Sequence, residues 1–291
     1  MLGIVLINYQ SEKEIIDFLA YQIVKITVPY KIVIVNNSAS SESNSFFTNE
    51  LCVCIAGVQN IDKSNNIFLL SADTNLGYAK ANNLGATFLN KHFTIEYLLF
   101  TNSDIVFYDN NVVESLISKA KSNDKIGGIG PRIVGDDGKD QSPIMFIPPI
   151  KYLAKYLIKP ILKKIFKNSH YTSSNDSLKI YQEGFYYTVS GCFMLVKTAV
   201  FLSAEKFDPG TFLYSEERIL SERINKTGSK FYYYPEVSIL HHENTTTLRS
   251  FKIRKLKSFL FDSEYYYYTK YIISNPLVLL IFKSIKYYRK F

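Results

Sequence analysis

The chain has 291 residues, of which 47% are hydrophobic and 21% are charged, a composition that is ordinary for a globular protein. This length fits one large α/β domain or two small ones. The three cysteines, Cys52, Cys54 and Cys192, make neither a disulfide framework nor a zinc-binding set. The net charge of +8 is not accompanied by a recognisable nucleic-acid-binding module, so we expect no nucleic-acid partner.

The positive charge is concentrated in two segments that are rich in lysine and tyrosine. Residues 151–170 contain six lysines and no acid, and residues 251–291 contain nine Lys or Arg against two acids. Such segments fit contact with an anionic membrane surface, while a solvated lysine face over an ordinary core is the open alternative. The lysines that recur at helical spacing in the first segment are Lys151, Lys155, Lys159, Lys163 and Lys167.

The sequence opens on an apolar strand and carries no signal-peptide pattern. Its longest apolar run near the end, residues 271–282, contains Asn275-Pro276 and is shorter than the ~20 residues that a membrane-spanning helix needs. We therefore expect a cytoplasmic protein, with peripheral contact to the inner face of a membrane as the further expectation from the two basic segments.

The first half of the chain alternates between buried strands and amphipathic helices. The predicted elements are a strand at residues 3–9, a helix at 11–24, strands at 31–35 and 67–71, a helix at 82–89 and a strand at 97–100. This alternation predicts an α/β fold with a Rossmann-like, mostly parallel central sheet and helices on both faces. Ligands of such sheets bind beyond the carboxyl ends of the strands, where this chain carries Asn, Ser and Asp.

The alternation fades after residue 131. The remaining predicted elements are a loop at 135–149, a helix at 151–167 interrupted by Pro160, a polar loop at 168–183, strands at 186–197 and 230–240, and an acidic helix at 215–226. We expect the last part of the chain to be a helical extension rich in lysine and tyrosine.

Three groups of residues carry side chains or backbone that suit metal binding, anion binding or proton transfer. Asp104 follows the strand at 97–100 within Thr101-Asn102-Ser103-Asp104, where a carboxylate can hold Mg²⁺ or Mn²⁺ together with diphosphate oxygens, although a turn or cap is the preferred explanation of this motif taken alone. Residues 75–85 place glycines and a helix N-terminus after the strand at 67–71, which suits an anion or an ordinary helix cap.

The third group combines acids and histidines. Glu216 and Glu217 lie in the first turn of the acidic helix. The helix dipole stabilises acids at this position, which explains them without a catalytic role; alternatively, one of them serves as a general base for an attacking hydroxyl. His241 ends the strand at 230–240 and is either a metal ligand or a strand-end residue.

The order and spacing of these motifs resemble the family 2 glycosyltransferases of the GT-A fold, especially the rhamnosyltransferase-like branch. The resemblance runs from Ile4 to about His242. Its motifs are Val35-Asn36-Asn37-Ser38, Asn75-Leu76-Gly77-Tyr78, Asn82-Asn83-Leu84-Gly85, Asn102-Ser103-Asp104, Gly130-Pro131-Arg132, Ser190-Gly191-Cys192, Phe207-Asp208, Tyr214-Ser215-Glu216-Glu217, Arg223, and Pro235 with His241 six residues later.

The resemblance implies an inverting transfer with a division of labour among these residues. Asp104 and His241 would hold the metal on the donor diphosphate, and Glu217 would deprotonate the acceptor, with Glu216 as the alternative base. Asn8 and Asn36 would lie beside the nucleoside. The other residues implied in binding the nucleotide sugar are Asn75, Gly77, Asn82, Asn102 and Ser103.

Three substitutions depart from the family pattern. Asn36 stands where the family has Asp, and its amide oxygen accepts a hydrogen bond from a base without the assistance of a charge. Asn102 replaces the first acid of the metal-binding motif, which leaves Asp104 as its only acid. Glu217 is one methylene longer than the usual Asp.

The sequence thus predicts a glycosyltransferase domain at residues 1–245, with a nucleotide-binding half at 1–130 and an acceptor-binding half at 131–245, followed by the extension at 246–291. We expect a metal-dependent inverting hexosyl- or deoxyhexosyltransferase that acts from a nucleotide-sugar donor on a glycan or lipid-linked acceptor in cell-surface polysaccharide synthesis. The alternatives are a nucleotidyltransferase, and a catalytically silent nucleotide-sugar-binding or scaffold protein at the membrane.

Overall fold

The computed structural model describes residues 1–38, 40–51, 54–55, 62–154, 181–242 and 251–288. The described residues include ten strands that form one sheet. The strands are β1 (Leu2–Asn8), β2 (Tyr30–Asn36), β3 (Cys54–Ile55), β4 (Ile67–Ser71), β5 (Tyr97–Thr101), β6 (Ile105–Phe107), β7 (Ile126–Gly135), β8 (Gly184–Tyr186), β9 (Phe193–Lys197) and β10 (Lys230–His241).

Helices connect most of these strands. They are α1 (Glu12–Tyr21), α2 (Ser41–Glu50), α3 (Gly77–His92), α4 (Val112–Lys121), α5 (Pro149–Leu153), α6 (Thr198–Ser203), α7 (Glu216–Lys226), α8 (Ile253–Tyr267) and α9 (Pro276–Tyr288), with a 3₁₀ turn at Ile23–Lys25 and a π-helical turn at Tyr268–Ile272.

The sheet is mixed, with the strand order β3-β4-β2-β1-β5-β9-β7-β10-β6 and with β8 paired to β10. The strands from β3 to β5 run parallel to their neighbours, whereas β9 is antiparallel to both β5 and β7. The predicted α/β fold class is confirmed. The sheet is less uniformly parallel than predicted because the second half of the chain adds antiparallel strands β6, β8 and β9.

Apolar side chains cover both faces of the sheet. One core cluster packs α1 and α4 against one face through residues such as Phe18 and Leu116, and a second packs α3, α6 and α7 against the other through residues such as Leu89 and Ile224. Buried strands of this kind have near-continuous apolar sequences, which is why β1, β2 and β5 were predictable.

Several predicted boundaries differ from those observed. Helix α3 begins at Gly77, earlier than the predicted start at residue 82, and the predicted strand at 186–197 is two strands, β8 and β9. Only α5 represents the predicted helix at 151–167; the rest of that helix, including Pro160, lies outside the described residues.

The C-terminal helices pack against the sheet domain through a third cluster of buried side chains. Tyr152 of α5 stacks on Phe282 of α9 with ring centroids 5.0 Å apart, and Ile219 of α7 belongs to the same cluster. Tyr267 and Tyr268 are each 1% exposed. These two tyrosines therefore do not supply the membrane-facing surface that the sequence suggested for the C-terminal stretch, because they fill a core.

The buried carboxylate of Asp208 ties the C-terminal helices to the domain. It accepts hydrogen bonds from the Tyr266 hydroxyl at 3.0 Å, from Lys270 at 2.9 Å and from the Tyr271 hydroxyl, and it lies 3.2 Å from the Arg223 guanidinium. Burial alone would raise the pKa of Asp208, but the hydrogen bonds from Tyr271 and Lys270 lower it to about 2.

We expect Asp208→Asn to destabilise the protein by about 3 kcal/mol at pH 7, because it leaves Arg223 and Lys270 without their counter-charge. A carboxyl whose pKa is lowered by folding stabilises above its unfolded pKa, about 4, and this contribution is lost as the pH falls toward 2. Urea unfolding followed by circular dichroism measures the free energy of unfolding. The difference in this free energy between the native protein and the variant should become smaller as the pH falls over that range. Replacing the exposed Asp124 with Asn is the matched control, and an equal loss there would contradict the assignment.

Candidate active site

A cleft of about 310 Å³ opens at the carboxyl ends of β1, β2, β4 and β5. The parallel register of these strands brings the polar residues that follow them to one edge of the sheet, as expected for this architecture. The predicted site residues that line the cleft are Asn75, Gly77, Asn102, Ser103, Asp104 and His241.

Strand pairing brings Asp104 and His241 together, although they are far apart in sequence. The antiparallel register of β10 and β6 sets His241 opposite Ile105, the residue after Asp104, and the His242 amide donates to the Asp104 carbonyl at 3.0 Å. The Nε2 atom of His241 consequently lies 3.3 Å from Oδ1 of Asp104. The side-chain amide of Asn102 is 3.4 Å from the same nitrogen.

The other ring nitrogen of His241 fixes the orientation of the imidazole. Nδ1 lies 2.6 Å from the side-chain oxygen of Gln141, so a proton on Nδ1 leaves Nε2 facing Asp104. Burial alone would lower the pKa of His241, but hydrogen bonds with Asp104 and Cys192 raise it to about 10. Asp104 and His241 therefore form a polar pair in which Oδ1 of the carboxylate and Nε2 of the imidazole face each other.

The acid pair lies at the N-terminus of α7, next to the cleft. Glu216 is 4% exposed, and burial together with the charge of Glu217 raises its pKa to about 8. Burial also raises the pKa of Glu217, which is only half-buried. The two residues before them, Tyr214 and Ser215, have φ angles of 78° and 68°, a left-handed conformation that the surrounding fold must hold in place.

Glu217 approaches the cleft wall at Tyr78 and Gly191. A methyl group built on Gly191 would lie 3.7 Å from Oε2 of Glu217 and 3.5 Å from the Tyr78 hydroxyl, so these three groups are neighbours. The Tyr78 hydroxyl donates to the Gly191 carbonyl at 2.6 Å, and Tyr78 itself lines the cleft. Glu217 thus has one carboxylate oxygen close to Tyr78, which lines the cleft, while neither Glu217 nor Glu216 lines it.

The turn before α3 is held by asparagine side chains. Oδ1 of Asn75 accepts from the Gly77 amide at 2.9 Å and from Nδ2 of Asn37 at 2.8 Å, while Oδ1 of Asn37 accepts from the Leu76 amide. Gly77 has a φ of +74°, and a Cβ there would lie 2.3 Å from the Phe212 carbonyl. The position therefore requires glycine, and the turn presents the N-terminus of α3 to the cleft.

Asn8, Asn36 and Asn82 do not line the cleft. Asn8 and Asn36 are fully buried below it, where their side chains are joined by a hydrogen bond of 2.9 Å and both contact Ser43. Asn36 also donates to Asn44 at 2.6 Å. Asn82 is 2% exposed within α3. The predicted contacts of these three residues with a nucleotide sugar stay predictions, and the described geometry gives Asn8 and Asn36 a role in fixing the loops after β1 and β2.

Two bacterial enzymes are similar to the chain in sequence. The rhamnosyltransferase WbbL of Escherichia coli is 24% identical over 255 residues, which cover 84% of this chain and 85% of that protein. The N-acetylglucosaminyl-diphospho-decaprenol L-rhamnosyltransferase of Mycobacterium tuberculosis is 25% identical over 192 residues, which cover 63% of this chain and 61% of that protein. No protein-family model matches the chain.

Solved glycosyltransferase structures share the fold at low sequence identity. GalNAc-T7, solved with UDP, GalNAc and Mn²⁺, superposes with a TM-score of 0.59 at 13% identity over 98% of this chain and 54% of its own. The mannosyltransferase PcManGT of Pyrobaculum calidifontis, solved with GDP-Man and Mn²⁺, gives 0.54 at 11% identity over 99% and 74%. Residues 1–349 of Staphylococcus aureus TarS give 0.54 at 12% identity over 92% and 72%.

The chain has the GT-A fold of glycosyltransferases, and its sequence is similar to those of bacterial rhamnosyltransferases. The resemblance inferred from the motifs is thereby confirmed, as is the predicted fold class.

The donor atoms at the cleft of this glycosyltransferase fit a divalent cation. Oδ1 of Asp104 is buried and lies 3.3 Å from Nε2 of His241, so a carboxylate oxygen and an imidazole nitrogen are placed together at the cleft. Among the described residues, no three His, Cys, Asp or Glu side chains gather as a metal-binding group. Asp104 and His241 would therefore supply two ligands, and the remaining ligands would come from diphosphate oxygens and water.

Several residues that line the cleft were not among the predicted site residues. Tyr9, Asn37 and Phe251 all line the cleft. Asn37 lies within a quoted motif, and its position at the end of β2 was a signal for a structural role in the site. Phe251 carries no such signal, since it comes from the C-terminal extension and reaches the cleft only through the tertiary fold.

Proposed function

We propose that this glycosyltransferase moves a sugar, with inversion, from a nucleoside-diphosphate donor to a hydroxyl of a glycan or lipid-linked acceptor in cell-surface polysaccharide synthesis. Asp104 and His241 hold Mg²⁺ or Mn²⁺ at the donor diphosphate, and Glu217 is the general base. The observation that carries the proposal is that Asp104 and His241 lie together in the cleft. Glu217 lies close to Tyr78, which also lines this cleft.

The residues divide the transfer between the leaving group and the incoming oxygen. Asp104 and His241 would hold the metal at the diphosphate end, and the metal would supply positive charge to neutralise the departing nucleoside diphosphate. Glu217 accepts the proton of the acceptor hydroxyl as its oxygen bonds to the anomeric carbon and the bond from that carbon to the phosphate oxygen breaks. The products are the extended glycan and the nucleoside diphosphate, with the proton on Glu217.

The names of the two relatives suggest the first substrates to test. Both are rhamnosyltransferases, and the name of the mycobacterial enzyme specifies an acceptor in which N-acetylglucosamine is linked through diphosphate to a polyprenol. We propose an activated L-rhamnose as the donor and a sugar diphosphate lipid as the acceptor class of the present chain.

A screen of nucleotide sugars for metal-dependent turnover tests the proposed function. The native protein is incubated with Mn²⁺ and a panel of UDP, dTDP and GDP sugars, with and without a lipid-diphosphate-linked N-acetylglucosamine, and release of nucleoside diphosphate is measured. Acceptor-stimulated release supports the proposal. Nucleotide binding without turnover on any donor would favour the silent scaffold, and release of pyrophosphate from nucleoside triphosphates would favour a nucleotidyltransferase.

We also propose that the basic segments attach the enzyme peripherally to anionic membranes, which would bring it to a lipid-linked acceptor. Lys151 is exposed on α5; the other four lysines of the periodic set lie outside the described residues. Leu277 and Leu280 on α9 are 73% and 62% exposed, and α9 packs on α5 through Phe282 and Tyr152. Within the described parts of the chain, no helix is long and apolar enough to cross a bilayer.

Exchanging the five periodic lysines for Gln should reduce binding to anionic vesicles strongly, since each lysine near such a surface contributes on the order of 1 kcal/mol. Co-sedimentation with anionic and neutral liposomes at low and high salt measures the effect. The matched control makes the same charge change elsewhere on the exposed surface, at Lys13, Lys63, Lys80, Lys91 and Lys125. Equal loss in both variants, or no binding of the native protein to either vesicle, would contradict the proposal.

A further inference from the structure

The C-terminal extension contributes an aromatic side chain to the cleft. The ring of Phe251 stacks on the ring of Tyr9, with centroids 5.6 Å apart and planes 9° from parallel. Phe212 and Phe259 meet the edge or face of Phe251 at nearly perpendicular angles, with centroids 6.3 and 5.5 Å away. Both Tyr9 and Phe251 line the cleft, so this stacked pair is part of its wall.

Tyr9 lies at the end of the cleft where the nucleobase of a donor would lie. It directly follows β1, and the neighbouring strands β2 and β4 lead to Asn37 and Asn75. Asp104 follows β5, on the other side of β1. A donor whose diphosphate lies at Asp104 and whose nucleoside extends across β1 toward β2 passes over Tyr9, since β1 is one strand spacing, about 5 Å, from β5.

Phe251 and a base cannot share the same face of Tyr9. Two flat rings enclose a third only when they stand about 7 Å apart, twice the contact separation of roughly 3.5 Å between carbon atoms. The centroids of the Tyr9 and Phe251 rings are only 5.6 Å apart, so no third ring fits between them. One of the two partners, the phenyl ring or the base, must therefore leave when the other is present.

From this exclusion we infer that Phe251 occupies the stacking place of the donor nucleobase on Tyr9, and that the Phe251 ring moves aside when a donor binds. This inference rests on the proposed function, because it requires a nucleotide donor. Its ligand is any nucleoside diphosphate, since every base has a flat face that stacks on tyrosine. Exchange is feasible because an aromatic pair and a base stack have similar strengths.

Removing the competing ring should strengthen nucleotide binding. We expect Phe251→Ala and Phe251→Leu to bind UDP and dTDP roughly 2- to 10-fold more tightly than the native protein by calorimetry with Mn²⁺ present. Pyrophosphate has no base, so its affinity should be the same for all three proteins. Phe259→Leu is the control, because Phe259 belongs to the same aromatic cluster without lining the cleft.

A fluorescent reporter tests the movement directly, because the chain has no tryptophan. In Phe251→Trp, the indole should become more accessible to acrylamide quenching when dTDP binds and should not respond to pyrophosphate. Weaker binding of the nucleotides to the Ala and Leu variants, or a more protected indole, would overturn the inference while leaving the proposed function intact. Absence of nucleotide binding to the native protein and to every variant would overturn both.

Discussion

Replacing Asp104 with Ala is expected to abolish metal-dependent donor turnover, with a loss of roughly 10³-fold or more, while the protein stays folded. Asp104 is the only acid of its motif, and its buried Oδ1 atom lies 3.3 Å from Nε2 of His241. Its removal leaves the imidazole as the single protein ligand of the expected site. His241→Ala should weaken the same step less severely, because the carboxylate charge remains.

The neighbouring histidine provides the control for this experiment. Nδ1 of His242 lies 2.7 Å from Oδ1 of Asp136, and His242 does not line the cleft. His242→Ala should therefore retain turnover at saturating Mn²⁺. Electron paramagnetic resonance of Mn²⁺ with a nucleoside diphosphate measures metal binding apart from catalysis. Full turnover by Asp104→Ala in EDTA would contradict the metal assignment.

The buried strands were predictable from sequence because their pattern is local. β1, β2, β4 and β5 are short apolar runs that end in polar residues, and the acidic helix α7 begins within a residue of its predicted start. The pairing of Asp104 with His241 was implied only by the resemblance, because it depends on the antiparallel register of β6 and β10. β6 is three residues long and gives no periodic signal of its own.

Burial was the property that the sequence could not supply. Asn36 was expected at the nucleoside because of its motif, yet its side chain is enclosed by Asn8, Ser43 and Asn44. The sequence left open whether the basic, tyrosine-rich C-terminal stretch contacts a membrane or presents solvated lysines over an ordinary core. Several of its tyrosines bond Asp208 or fill the core, and Phe251 reaches the cleft for the same reason: long-range packing decides where an aromatic side chain lies.

The two acids at the start of α7 are expected to differ sharply in their contribution to transfer. The pKa of Glu216 is raised to about 8 by burial and by the charge of Glu217, so Glu216 is mainly protonated at pH 7 and is a poor proton acceptor. Glu217 is half-buried and adjoins the cleft wall at Tyr78 and Gly191. Its pKa is raised by burial, which brings a carboxylate closer to the basicity that a general base needs.

Glu217→Gln preserves the shape of the side chain and removes the proton acceptor, so donor affinity should survive while the rate of transfer falls by roughly 10²-fold or more. Glu216→Gln is the matched control, since a neutral amide resembles the protonated carboxyl and should change the rate little. Calorimetry of nucleoside-diphosphate binding and the pH dependence of kcat check the two variants. In the native enzyme, kcat should decline as the pH falls through the raised pKa of Glu217. If Glu216→Gln shows the loss instead, the two roles are exchanged, and if neither variant loses activity, transfer does not use a carboxylate base at this helix.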